Sequence, residues 1–134
     1  MNNFNLSNID KNNVSLINPL VLAYIGDSVF EVYVRTKVVN DGMFKTNKLH
    51  RLATEHVKAK AQAEALVRIM GNLTEEELNI VRRGKNANSN TIPKNADVAD
   101  YKKATALEAL IGYLFLSDKF QRLDEIIDLI LNEN

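Results

Sequence analysis

The sequence predicts an all-α domain of about six helices, and three observations carry that expectation. No segment keeps strict two-residue alternation long enough to form a half-buried strand. Gly and Pro number only 5 and 2 among 134 residues, too few for the many tight turns of a β-sandwich. Helix start and stop signals instead punctuate the chain at regular intervals.

Taken in order, residues 1–17 read as a loose polar arm, with six asparagines in the first 13 positions. Residues 18–134 read as a single domain. Asn18-Pro19 is an N-cap followed by Pro at the first helical position, opening a long helix from Leu20 to about Val39. It is apolar on most faces and therefore expected to be central. Asn40-Asp41-Gly42 ends it. Thr46 is placed to cap a second helix running toward His56. Lys58 to Met70 is rich in Ala, Leu and Lys and reads as a third, stopped by Gly71-Asn72. Thr74, with Glu77 three residues on, forms a capping box for a fourth helix through about Arg83. Gly84 to Lys94 is polar and reads as a loop. A fifth helix is expected over Val98 to Leu116, and a sixth from Phe120 to Leu131.

Composition bounds the function. Hydrophobic residues at 46% and charged residues at 25% give the balance of an ordinary globular domain. The absence of cysteine excludes disulfides, thiolate catalysis and Cys-based zinc sites. No signal-peptide core and no run of ~18 apolar residues is present, so a soluble cytoplasmic protein with no membrane partner is expected. The zero net charge hides a segregation. Residues 1–41 carry −1, residues 42–103 carry +5 and residues 104–134 carry −4. A local basic surface is compatible with that pattern, and so are ordinary solvated helix faces.

The informative residues are Asp27 and Glu108. Asp27 is surrounded by Tyr24, Ile25, Gly26, Ser28, Val29 and Phe30, and Glu31 lies one turn on along the same face. Glu108 is the one charge between Ala104 and Leu116. Helices this apolar belong inside a small domain, where an ionised carboxylate costs several kcal/mol unless paired or metal-bound. Either residue alone is accounted for by a partner Arg or Lys, or by a helix cap. Two such helices should pack together, bringing the two acids close. Carboxylates that close repel unless a cation or shared proton intervenes, and oxygen-only ligation selects Mg²⁺, with Mn²⁺ as a substitute. His50 and His56, six apart, share no helical face and read as surface residues. Glu75, Glu76 and Glu77 suit the positive end of a helix. Tyr24, Tyr33, Tyr101 and Tyr113 are expected in the core or under loops. The chain has no GxSxG, P-loop or GxGxxG, and no organic cofactor is expected.

Leu22 to Glu31 (LAYIGDSVFE) resembles the first signature of the ribonuclease III endonuclease domain. Thr105 to Leu116 (TALEALIGYLFL) resembles its second acidic motif. Ala59–Ala65 (AKAQAEA), Val81–Ala87 (VRRGKNA) and Pro93–Thr105 (PKNADVADYKKAT) are similar to the Mini-ribonuclease III branch, which lacks the double-stranded-RNA-binding domain. The resemblance spans residues 18–131. It implies an all-α endonuclease domain, a homodimer, Mg²⁺ dependence and hydrolysis of double-stranded RNA to 5′-phosphate and 3′-hydroxyl ends, with maturation of 23S ribosomal RNA ends as the role. By motif position, Asp27 and Glu108 match the metal-ligating catalytic acids. Ala23, Leu20 and Thr105 stand where full-length ribonuclease III carries further acids, so the number of metals per site stays open, as do the roles of Glu31 and Thr105.

Arg82, Arg83, Lys85 and Lys94 surround the polar loop and are candidate phosphate contacts. The rival reading is a non-catalytic helical module that binds RNA or associates with the ribosome on the same fold. An all-α metal-dependent nucleotide hydrolase is a further alternative, but it would place several acids along one helix.

Overall fold

The structure is a computed structural model and describes residues 9–42, 46–87 and 92–132. It contains α1 (Pro19–Asn40), α2 (Thr46–Val57), α3 (Ala59–Ile69), α4 (Glu75–Asn86), α5 (Val98–Leu116) and α6 (Phe120–Leu131), with no strand among the described residues. The protein is all-α.

Helix α5 is the axis of the domain. It is apolar around its circumference, and Ala104, Ala106, Leu107, Leu110, Ile111 and Leu114 are among its buried residues. Helices α1, α3 and α4 pack directly on it. Helix α2 lies on α1, and α6 closes the bundle against α3 and α5. Leu123, Ile126, Ile127 and Ile130 of α6 are buried at the spacing of one helical face.

Local chemistry fixes most boundaries. The Asn18 side chain accepts from the Leu20 N–H at 2.8 Å, with Pro19 at the first helical position. Gly42 follows α1 at φ 90°, a left-handed conformation suited to glycine. Thr74 and Glu77 form the expected capping box, at 3.2 Å and 2.9 Å. Glu77 goes further than its helix-end position requires. It is buried, and the Arg122 guanidinium of α6 grips both its oxygens at 2.8 Å while also donating to the Asn72 carbonyl. The fork ties the start of α4 to α6, and with the cap bonds it holds the Glu77 carboxyl below its ordinary range despite burial.

Two expectations need correction, and a third is untested. The arm is anchored from Asp10 onward: Lys11–Leu16 form a 3-10 helix capped by Asp10, and Val14 is fully buried in the core. Residues 1–8 lie outside the described residues. Helix α4 runs one turn past Arg83, because Gly84 is a packing residue rather than a stop. A methyl group there would sit 2.9 Å from the Ala106 Cα of α5. The loop expected from Gly84 thus begins at Ala87, and residues 88–91 of it are outside the described residues. Finally, Thr46 is the first residue of α2, and the residues before it are not described, so its capping role lies outside them.

Candidate active site

The site begins with two glycines. Gly26 precedes Asp27 on α1, and Gly112 lies one turn after Glu108 on α5. A Cβ added at Gly26 would fall 1.7 Å from the Glu108 carbonyl oxygen, and one added at Gly112 would fall 1.9 Å from the Leu22 carbonyl oxygen. The two backbones therefore touch, which only glycine at both positions allows. Asp27 and Glu108 flank this crossing, and their carboxyl groups lie close enough for Asp27 to act directly on the Glu108 proton.

Their environments differ, and here the expectation of two buried acids is half right. Glu108 is half-buried. Asp27 is exposed, because α1 covers α5 with one face and turns another outward. The outward stripe includes Val21, Tyr24, Ser28 and Val32. Tyr24, expected under a loop or in the core, is 77% exposed on it. Among the other tyrosines, Tyr113 is buried, while Tyr33 and Tyr101 are half-buried.

Burial, the hydrogen bond the protonated carboxyl can donate to Asp27 and the Asp27 negative charge together push the Glu108 carboxyl up to about 8. The Gln62 amide of α3, hydrogen bonded to Glu108, pulls in the opposite direction. Gln62 is buried and donates from Nε2 to the Val57 carbonyl at 2.9 Å, while its Oε1 is buried without a partner. Asp27 and Glu108 thus bring two carboxyl groups together where α1 meets α5, with the Gln62 amide of α3 beside Glu108. The set is all oxygen with two carboxylates, which fits a hard cation that retains part of its water. Among the described residues no group of three or more His, Asp or Glu is arranged to hold a metal. Glu31 is instead paired with Arg35 at 2.9 Å. Thr105 donates to the Tyr101 carbonyl at 3.0 Å. Leu20 and Thr105 both line a pocket of about 170 Å³ where α1, α4 and α5 meet.

The ribonuclease III domain model matches residues 20–119 of the chain. The chain belongs to the ribonuclease III family. A Mini-ribonuclease 3 of Brevibacillus brevis is 52% identical over 113 residues, 84% of each protein. A Mini-ribonuclease 3 of Staphylococcus aureus is 43% identical over 128 residues, covering 94% of this chain and 96% of that one. A crystal structure of a Fusobacterium nucleatum protein superposes with a TM-score of 0.78 at 34% identity, covering 86% of this chain and 93% of that one. Among ribonuclease III proteins, this chain is similar to the Mini branch throughout, as its motifs imply.

The basic residues of this ribonuclease III domain divide. Arg82, Lys85 and Lys94 are exposed, and Arg82 contacts only the Asn79 side chain of its own helix among the bonds described. Arg83 is half-buried and donates to the Ser15 and Ile17 carbonyls. It anchors the N-terminal segment on α4, so its guanidinium is committed before any phosphate arrives. His50 is exposed. His56 is half-buried, and burial with the nearby Lys37 charge holds it below its ordinary range. Sequence reasoning missed Gly26, Gly112 and Gln62. A glycine inside each of the two most apolar helices was the available signal for the first two.

Proposed function

We propose that this ribonuclease III family endoribonuclease cleaves double-stranded RNA by Mg²⁺-dependent hydrolysis, with Asp27 and Glu108 holding the ion. The observation that carries the reading is a close pair of carboxyl groups, one exposed and one half-buried, with no cationic side chain among the partners described for it. A bound Mg²⁺ supplies Lewis-acid polarisation of the phosphate and activation of water. Asp27 and Glu108 would hold the ion as carboxylates, Glu108 in its ionised form. Asp27, exposed beside it, faces the side from which RNA can approach. No side-chain nucleophile is required, and the products carry 5′-phosphate and 3′-hydroxyl ends. Arg82, Lys85 and Lys94 contact phosphates, so recognition is of A-form shape more than of sequence. Maturation of 23S ribosomal RNA ends in the cytoplasm is the role this reading favours, on the strength of the Mini-ribonuclease III likeness. Incubation with Mg²⁺ and structured RNA, single-stranded RNA, duplex DNA or nucleoside triphosphates tests it. Structured RNA alone should be consumed, and its survival would return the fold to a non-catalytic role.

The same reading assigns a homodimer. Val21, Tyr24 and Val32 are 51%, 77% and 65% exposed along one stripe of α1, next to Asp27. An apolar stripe of this kind suits a two-fold interface, which sets two active sites on antiparallel strands. The double variant Tyr24→Asp, Val32→Asp should sediment as a monomer and lose double-strand cleavage. A wild-type monomer at working concentration, with full double-strand cleavage, would refute the assignment.

The basic residues separate in a binding assay. Arg82→Ala with Lys85→Ala should weaken RNA binding for all sequences and reduce the salt slope by up to ~2 units. Arg83→Ala should instead lower the melting temperature by a few degrees, since about 1–3 kcal/mol attends loss of buried backbone contacts. Its salt slope should stay near that of the wild type.

A further inference from the structure

Gln62 is buried in α3, a helix whose other buried residues are Ala63, Ala65, Leu66 and Ile69. Besides Glu77, it is the buried polar side chain of the described core. Glu77 is satisfied by its cap and by Arg122. Gln62 is not. Its orientation is settled by chemistry: the Val57 carbonyl only accepts, so the amide atom 2.9 Å away is the nitrogen. One N–H is spent there, at the junction of α2 and α3, and the other is available to the Glu108 carboxyl. The carbonyl oxygen Oε1 is left enclosed with no partner. The other such atom among the described residues, Ser117 Oγ, sits at the C-terminal end of α5, where a hydroxyl can turn. Oε1 cannot turn without breaking the Val57 bond.

Methionine or leucine would pack α3 on α5 without leaving an amide oxygen unsatisfied. With both carboxyls ionised, as ligands must be, no group of the described residues donates to this buried oxygen, which calls for a donor from outside the chain. A hydrated divalent cation brings such donors, because Mg²⁺ keeps several of its waters when held by two carboxylates. We infer that Gln62 is a positioning residue of the metal site: its amide N–H groups fix Glu108 against the α2–α3 junction, and its Oε1 accepts a hydrogen from the ion's water shell. The inference rests on the proposed Asp27–Glu108 metal site. It adds a neutral residue from a third helix, so that α1, α3 and α5 all contribute to holding the ion.

The test is a titration of the RNA-free protein with Mn²⁺, read by the loss of the free-ion paramagnetic resonance signal, for wild type, Asp27→Asn, Gln62→Met and Gln62→Glu. Melting curves in chelator accompany it. Gln62→Met keeps the length and removes both hydrogen-bonding functions. Its Mn²⁺ dissociation constant should rise about tenfold or more, the usual loss when a residue orienting a metal ligand is removed. Its melting temperature in chelator should equal or exceed that of wild type. Gln62→Glu keeps acceptor oxygens at the same reach but loses both N–H donors, so its Mn²⁺ dissociation constant should lie between those of wild type and Gln62→Met. Two results overturn the inference while the metal site itself survives, with wild type binding and Asp27→Asn not: Gln62→Met binding within twofold of wild type, or Gln62→Met melting well below wild type in chelator. If wild type takes up no Mn²⁺, or Asp27→Asn binds as well as wild type, the metal site fails and the inference with it.

Discussion

Glu108→Gln should lower Mg²⁺-dependent cleavage of double-stranded RNA by at least ~10³-fold, the rate equivalent of the several kcal/mol a bound cation contributes to phosphoryl chemistry. The same change should stabilise the metal-free protein. In the folded chain Glu108 keeps its proton up to about pH 8, against 4.5 for the free group. Between those values the folded state binds more protons than the unfolded one, so this residue's contribution to stability falls as pH rises. At pH 7 the penalty is on the order of 3 kcal/mol, and Gln, which never ionises, removes most of it. The difference in melting temperature between Glu108→Gln and wild type, measured in chelator, should therefore be largest near pH 8 and vanish near pH 4. Added Mg²⁺ should reverse the order at neutral pH, because only wild type gains from binding. Asp27→Asn should lose as much cleavage with less gain in stability, since Asp27 is exposed. Near-wild-type turnover in either variant would defeat the assignment of the pair.

The second large effect is steric. Gly26→Ala places a methyl group 1.7 Å from the Glu108 carbonyl oxygen, and Gly112→Ala places one 1.9 Å from the Leu22 carbonyl oxygen. Neither neighbour is a side chain that can rotate away, so α1 and α5 must separate. A cost of about 3 kcal/mol or more is expected, at the upper end of overpacking effects. Activity should fall further than stability does, by ~10²-fold even where the variant is folded, because the two carboxylates ride on the helices that move. Gly84→Ala meets α5 at 2.9 Å and should be milder. Gly71→Ala meets nothing within 4 Å and should be neutral or slightly stabilising. Melting and single-turnover cleavage across this series check the crossing. Equal behaviour of Gly26→Ala and Gly71→Ala would show that the helices do not meet as described.

Local signals made much of this legible in the sequence. The Asn18-Pro19 start, the Thr74/Glu77 capping box and the limits of α5 and α6 are set by residues within a few positions of each boundary. What stayed hidden depends on partners distant in the chain. Gly84 reads as a helix stop until Ala106 is seen against it. Arg83 reads as a phosphate contact until the Ser15 and Ile17 carbonyls occupy it. Helix α1 is apolar on more faces than one small core can cover, and Val21, Tyr24 and Val32 are uncovered in the single chain, but which face stays outside depends on where α5 packs. The pairing of Asp27 with Glu108 followed from two apolar helices each carrying an acid at midlength. Gln62 did not: in a segment reading KAKAQAEALVRIM a glutamine looks like one more solvated side chain.

The central claim is that Asp27 and Glu108 form a cation site. It is tested most directly by calorimetric titration of Mg²⁺ into the RNA-free protein at pH 7, in buffers of different ionisation enthalpy. A carboxyl held at about 8 is mostly protonated at that pH and must ionise to become a ligand. Binding should therefore release about 0.9 proton per ion at pH 7, falling toward zero by roughly pH 9. Glu108→Gln should neither bind nor release. Mg²⁺ uptake without proton release, or release that persists unchanged in Glu108→Gln, would place the ion elsewhere and contradict the account.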